Sequence, residues 1–337
     1  MSAESRTILP HSWPDLRSED AAAVARCFKD EFIGFNSSYE TRICHELRQY
    51  VQQECVVTTP SGSIALLLAL KDIGIEKGDE VIISAVNCWS VYHTITFLGG
   101  TPVLCDIRSA KDLRASAETI SASITSRTKA IIATHMFGAL IEVEQFKLLK
   151  EHSDIPVVCD YSSSFGSQHE GRKKIGAFSD YVIGSFGSTK PLPGGNGGFL
   201  ATAGQVVNPA YAEWSESGIP FNIHVSGMIQ ALILSQLENH AERQEFKKTL
   251  LDFYRQFVTI ENSGSEGLFR AITFSDTAKL EKELLKKNIE MDSRDSAQPN
   301  LAKEMKINLK NAMSLQTYKS LPFNRKTHSI LRDKGVL

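Results

Sequence analysis

From about Val56 to Thr202 the chain alternates between short apolar runs and longer stretches with helical spacing. The runs Val81–Ile83, Pro102–Leu104, Ala130–Ala133, Pro156–Cys159, Tyr181–Ile183 and Gly198–Ala201 are rich in β-formers and lack polar alternation. That pattern predicts strands covered on both faces. Between them, Ile64–Ile73 and Val143–His152 predict helices. Strand and helix in alternation predict an α/β fold built on a large, mostly parallel sheet. In such a sheet, ligands bind where loops leave the carboxyl ends of the strands.

A longer helical stretch is predicted from about Ser226 through Leu237 and on toward Phe257, its apolar positions thinning into charged surface. The composition then shifts at Glu261–Gly267, a hinge-like segment. Beyond it, Leu268–Phe274 predicts a strand and Asp276–Lys287 a helix laced with Lys and Glu. The expected division is a large domain over residues 1–260 and a small C-terminal α+β domain over 261–337. A length of 337 residues suits two such units.

A net charge of −2 gives no electrostatic reason to expect nucleic acid or an anionic membrane as partner. No apolar run approaches the ~18 residues of a spanning helix, and the first residues lack a signal-like hydrophobic stretch, so the expected location is cytoplasmic. The six cysteines are scattered, without zinc spacing or a disulfide framework. No metal site is expected.

The chemistry centres on Lys190. It follows the strand-like Tyr181–Ile183 through a Ser-rich turn and leads into Pro191-Leu192-Pro193-Gly194-Gly195-Asn196-Gly197-Gly198, with no other charge between Tyr181 and Leu200. A poorly solvated lysine loses part of its preference for the charged form, and a free amine attacks carbonyl carbons. Alone, Ser-Thr-Lys in a polar loop reads more simply as a solvated lysine with its stem on the surface. Asp160 follows the predicted strand Pro156–Cys159 at the ligand edge of the sheet. It reads either as a turn cap or as a buried charge with a specific partner, such as a protonated pyridine nitrogen. Ser61-Gly62-Ser63 precedes a helix, where hydroxyls and free amides make either an ordinary N-cap or a phosphate site. Ser185 could add a hydroxyl to the same phosphate.

In order, Thr59-Pro60-Ser61-Gly62-Ser63-Ile64-Ala65-Leu66, Gly78–Ile82, Gly99–Val103, Asp160, Gly171-Arg172-Lys173, Ser185-Phe186, Lys190 and Gly197-Gly198 resemble the DegT/DnrJ/EryC1/StrS family. The resemblance runs from roughly Ile8 to Leu237 and, more loosely, to Leu321-Pro322. It implies a fold-type-I aminotransferase that uses pyridoxal 5′-phosphate (PLP) to move an amino group from an amino acid, usually glutamate, to a keto-sugar. The implied acceptor is a nucleotide-linked keto-deoxysugar of polysaccharide or secondary-metabolite biosynthesis. By the same resemblance Lys190 is the Schiff-base lysine and Asp160 the partner of the pyridine nitrogen. Gly62, Ser63, Ile64 and Ser185 match the phosphate contacts. Asn222 matches an asparagine that reaches the partner subunit's phosphate, which implies a homodimer with composite sites.

Some positions depart from the family's pattern. Ser163 stands where Gln or His lies near the ring. The stacking aromatic aligns with Cys88, and the neighbouring Trp89 is the expected substitute. His224 replaces an arginine. His135, Tyr92 and His93, and C-terminal Tyr318, Phe323, Asn324 and Arg325, are lesser candidates for the site's border, with packing roles the simpler reading. Other readings are a non-catalytic PLP-binding relative and a deoxysugar dehydratase, which the lysine at 190 disfavours because dehydratases of the family carry His there.

Overall fold

The computed structural model describes residues 7–10, 13–29, 38–167, 178–204, 223–261, 270–291, 301–314, 319–322 and 324–337. Its centre is a seven-stranded sheet built from β2 (Cys55–Thr59), β3 (Glu80–Ser84), β4 (Thr101–Cys105), β5 (Thr128–Thr134), β6 (Val157–Asp160), β7 (Tyr181–Ser185) and β8 (Gly198–Thr202), in the order β2-β8-β7-β6-β5-β3-β4. Neighbours from β4 through β7 run parallel, and β8 is antiparallel to both β7 and β2. All six predicted sheet strands are present.

The absence of polar alternation has a direct cause. Successive side chains point to opposite faces, and both faces are buried. Val81 and Ile83 join Ala130, Ile132, Val158, Ile183 and Leu200 under α3 (Gly62–Ile73) and α4 (Trp89–Phe97). On the other face, Ile82, Ile131, Ala133 and Val157 pack with Phe146 and Leu149 of α6 (Val143–His152). There too, Cys159, Val182, Phe199 and Ala201 meet α2 (Ser38–Val51) and α7 (Gly227–Glu238). The short helix α5 (Ala117–Ser121) is closed by a Ser116/Thr119 capping box. Among the described residues no helix is long and apolar enough to cross a membrane, and no group of three or more His, Cys, Asp or Glu could hold a metal ion.

The predicted helical stretch toward Phe257 is broken. Helix α7 ends at Glu238 and α8 (His240–Tyr254) begins two residues later. Asn239 lies between them at φ −108°, ψ 16°, and its side-chain amide donates to Ser235 O at 2.8 Å. An asparagine that finds such a local acceptor competes with helix propagation.

A further core gathers the end of α8 with the C-terminal segments. Leu250, Tyr254, Val258, Leu280, Leu284, Ile289, Leu321 and Leu331 pack around Leu9. Strand β1 (Thr7–Leu9) pairs in parallel with β10 (Ile289–Met291), and β9 (Ala271–Thr273) pairs antiparallel with β11 (Lys319–Leu321). Helices α9 (Ala278–Leu285) and α12 (Arg325–Asp333) contribute Leu280, Leu284 and Leu331 to this core. Leu301 of α10 (Leu301–Glu304) and Ala312 of α11 (Lys310–Met313) join the core under α3 and α4 instead, and α1 (Ser18–Lys29) packs on α7.

At the start of β8 the backbones approach closely. A Cβ placed on Gly198 would lie 2.6 Å from Gly184 O and 2.6 Å from Gly62 N, both rigid main-chain atoms. Gly198→Ala is expected to destabilise the fold by about 1–3 kcal/mol, the usual penalty of overpacking. A lowered urea midpoint at unchanged slope would record it.

Candidate active site

The carboxyl ends of the parallel strands and the loops that leave them gather the predicted residues. Asp160 is the last residue of β6 and is 6% exposed. Its Oδ1 accepts the Ser162 N–H at 3.0 Å, and its backbone carbonyl accepts the His135 N–H at 3.1 Å. Lys190 follows β7 across a turn closed by its own N–H to Gly187 O at 2.9 Å. The Lys190 Nζ donates to Ser163 Oγ at 3.4 Å. Burial pushes the Lys190 ammonium below the usual lysine value. The negative charge of Asp160 works in the opposite direction, and the cation at Arg270 acts with burial. The result is a lysine whose free amine is more accessible than a surface lysine's.

Helix α3 begins at the same edge. Ser61 is its N-cap, accepting the Ile64 N–H at 3.2 Å, which leaves the amides of Gly62 and Ser63 without intrahelical acceptors. Gly62 faces Ser185 and Ser162: a Cβ there would lie 2.9 Å from Ser185 Cβ and 3.4 Å from Ser162 Oγ. Ser185 Oγ in turn accepts the Gly187 N–H at 3.3 Å. The glycines keep the backbones of α3, β7 and β8 in contact, so a helix N-terminus, two serine hydroxyls and Lys190 share one end of the sheet. This suits a phosphate on the helix terminus and a cationic ring nitrogen on Asp160. The residues present therefore fit PLP.

Other predicted residues take different places. Trp89 opens α4. Its indole N–H donates to Glu304 Oε2 at 3.2 Å, and its ring stacks on His93 with centroids 5.5 Å apart. Tyr92 meets Trp89 edge-on at 5.3 Å. The exposed Cys88 accepts the Ser90 hydroxyl at 3.1 Å and is the member of this loop that lies within electrostatic range of Lys190. His135 is fully buried: its Nδ1 accepts the Ile141 N–H at 3.0 Å and its Nε2 lies 2.9 Å from Cys159 Sγ. Because Nδ1 is an acceptor, the ring proton sits on Nε2 and is donated to sulfur. Asn324 caps α12 through Thr327 N–H at 2.9 Å and donates to Pro10 O at 2.7 Å. His224 precedes α7. Asn222, Tyr318 and Phe323 lie outside the described residues.

Beyond Lys190 lies a partly open cleft. Trp13, Asp15, Lys247, Arg270, Asn324 and Arg325 are among its walls. Ser162, Lys247 and Arg270 escaped the sequence reading. Ser162 had a signal, a hydroxyl two residues beyond the aspartate, whereas the two cations sit in ordinary-looking sequence and are gathered only by tertiary structure.

Residues 14–266 match the DegT/DnrJ/EryC1/StrS aminotransferase family. Among curated relatives, a GDP-perosamine synthase of Escherichia coli O157:H7 is 26% identical over 261 residues, 74% of this chain and 71% of that protein. An L-glutamine:2-deoxy-scyllo-inosose aminotransferase of Streptomyces lividus is 27% identical over 256 residues, 68% of this chain and 60% of that protein. Among solved structures, the Helicobacter pylori aminotransferase of pseudoaminic acid biosynthesis aligns with a TM-score of 0.81 at 20% identity, covering 97% of each chain. A Streptococcus pneumoniae protein, provisionally a sugar aminotransferase, aligns in its PMP form with a TM-score of 0.80, also at 20% identity over 97% of each chain.

His135→Leu would leave the buried Ile141 N–H without its acceptor and is expected to lower stability by about 1–3 kcal/mol. His135→Asn, whose side-chain oxygen can stand in for Nδ1, should recover part of the loss. Urea unfolding of both variants measures the difference.

Proposed function

From the premise that this chain belongs to the DegT/DnrJ/EryC1/StrS aminotransferase family and is a PLP-dependent transaminase, we propose that it moves an amino group from an amino acid, glutamate in the first instance, to a nucleotide-linked keto-deoxysugar. The observation that carries this reading is the placement of Lys190 Nζ, half-buried within range of the Asp160 charge and 3.4 Å from Ser163 Oγ. The sugar acceptor is supported by relatives named for perosamine and inosose chemistry. The product would feed surface-polysaccharide or secondary-metabolite biosynthesis.

In this reading the first turn of α3, through Gly62, Ser63 and Ile64, together with Ser185, holds the phosphate of PLP, and Asp160 holds its ring nitrogen in the protonated form. When bound, PLP supplies an electron sink for the negative charge that develops at the donor's α-carbon. Lys190 anchors the cofactor and, as a free amine, takes the proton from that α-carbon and returns it to the carrier carbon. The same nitrogen serves the acceptor half of the cycle in reverse. Its lowered proton affinity favours this work, because a base is most effective when its pKa lies near the working pH. Ser163 limits where Nζ can swing. Cys88 is the member of the β3–α4 loop that would border the ring side of the site, and Asn222 would serve the phosphate held by a second copy in a homodimer.

The visible spectrum of the PLP-loaded protein, before and after glutamate, tests the proposal. A band that shifts with glutamate in the wild type is the expected result. Lys190→Ala should slow that change by at least about 100-fold, the lower end of what a positioned proton-transfer group contributes. A wild-type band that stays static with every amino acid donor would favour a PLP-binding relative without transfer activity. A Lys190→Ala protein transaminating at the normal rate would overturn the role of the lysine.

A further inference from the structure

We propose that Ser163 is a catalytic residue: its hydroxyl holds the free amine of Lys190 between proton transfers and follows it through each change of protonation. The assignment rests on the amino-transfer reading above. Lys190 Nζ donates to Ser163 Oγ at 3.4 Å, and among the described residues neither atom has another hydrogen-bond partner. Asp160 reaches Nζ as a charge and not as a hydrogen-bond acceptor, and its Oδ1 is taken by the Ser162 N–H at 3.0 Å. The hydroxyl is therefore the one group that touches the reacting nitrogen directly.

The serine side of this contact is rigid. Ser164 N–H donates to Tyr161 O at 3.1 Å and Ser167 N–H to Ser164 O at 2.9 Å, so the chain winds through successive turns after β6. The Tyr161 hydroxyl ties the far end, donating to Ser167 O at 2.8 Å, while Tyr161 N–H donates to Ile183 O of β7 at 2.8 Å. Gly166 lies at φ 91°, and a Cβ there would fall 2.3 Å from His240 Nε2, so the start of α8 closes on these turns. Ser163 sits within them, 8% exposed. Lys190 is the flexible side, a long aliphatic stem on a half-buried loop residue. A fixed hydroxyl thus decides where a mobile amine rests.

The chemistry of the partner suits a nitrogen that must change its charge. A hydroxyl carries one donor and two acceptor lone pairs, and it rotates to suit its neighbour. It accepts from an ammonium and donates to the lone pair of a neutral amine. A carboxylate in the same place could only accept, and its charge would lock the lysine as an ammonium. A methyl group would leave Nζ without a partner in either form. The titratable groups around Nζ are the Asp160 carboxyl from β6, the Cys88 thiol from the loop after β3 and the Arg270 guanidinium from the residue before β9. Asp160 favours the ammonium, whereas burial and Arg270 oppose it. Ser163 adds no charge to this balance, so it orients the amine without biasing its protonation.

Two measurements test the role, and one is independent of turnover. The rate at which cofactor-stripped protein takes up PLP, followed by absorbance against pH, reports the fraction of Lys190 present as free amine. Ser163→Asp should raise the half-point of that profile by at least about one pH unit, as an adjacent opposite charge does. Ser163→Ala and Ser163→Thr add no charge and should leave it within about half a unit. The second measurement follows the donor half-reaction of PLP-loaded protein at saturating α-deuterated L-glutamate. There Ser163→Ala should slow the reaction about 10-fold, the scale of one lost hydrogen bond, with the donor's apparent dissociation constant little changed. Ser163→Thr, which keeps the hydroxyl, should restore most of the rate. An unmoved half-point in the Asp variant would show that position 163 does not face Nζ, and an Ala variant at the wild-type rate would show that the hydroxyl is dispensable; either result overturns the assignment. A wild type that takes up PLP with the expected profile but is silent to every donor would sink the amino-transfer reading, and the catalytic role with it, while leaving the contact established.

Discussion

A half-buried lysine amine within electrostatic range of a buried carboxylate is the constraint on which the rest of this structure depends. Burial lowers the proton affinity of Lys190, and the Asp160 charge opposes it without cancelling it. If the attraction dominated, the lysine would be locked as an ammonium and useless as a nucleophile or base. If burial acted alone, the isolated cation would be a liability to folding. Asp160 moderates the penalty, and its own place is held by a backbone hydrogen bond from Ser162 and by the β6 ladder. Asp160 accordingly sits at the end of a rigid strand and Lys190 in a tight turn just beyond one, because the balance fails if either group drifts into water.

The close approach of backbones is the geometric counterpart of that electrostatic balance. Gly62 and Gly198 leave no room for a side chain, and this brings the first turn of α3 against the ends of β7 and β8. A helix N-terminus is useful to an anion only when its first amides are reachable. Here the close contact places them beside Ser185, at the sheet end that carries Lys190. The Ser-Gly-Ser helix start and Gly197-Gly198, two separate parts of the family's pattern, meet in space, with Gly197 N–H donating to Pro60 O at 2.8 Å.

The sheet was legible because both of its faces are buried, so each strand is an unbroken apolar run that no surface helix mimics. The first helix of the site was legible from its cap. The break at Asn239 was not, since it turns on one side-chain amide finding a carbonyl four residues back. The identity of the residue facing Lys190 from the β3–α4 loop was equally hidden. The alternatives Cys88 and Trp89 differ by one position, and the structure sends the indole N–H to Glu304 on α10, a partner 215 residues away. Arg270 and Lys247 were silent for the same reason. A cation has no sequence signature of its own when the cleft that gives it a role is assembled from distant segments.

How that cleft is assembled explains why the C-terminal segments and the N-terminal strand share one core. Strand β1 pairs with β10, and Pro10 O accepts from Asn324, so the chain just after β1 is carried to the start of α12. From there Asp15 O accepts the Arg243 guanidinium at 2.8 Å, and Asp20 accepts Arg243 at 2.6 Å and Ser235 at 2.8 Å. Asp20 and Arg243 are almost fully buried, so removing either partner would strand a charge and not merely delete a contact. Residues 13–20 are thereby fixed simultaneously to α7, α8 and α12. The wall that faces Lys190 is set by this buried pair, and the cleft keeps its shape only while the two ends of the chain remain joined.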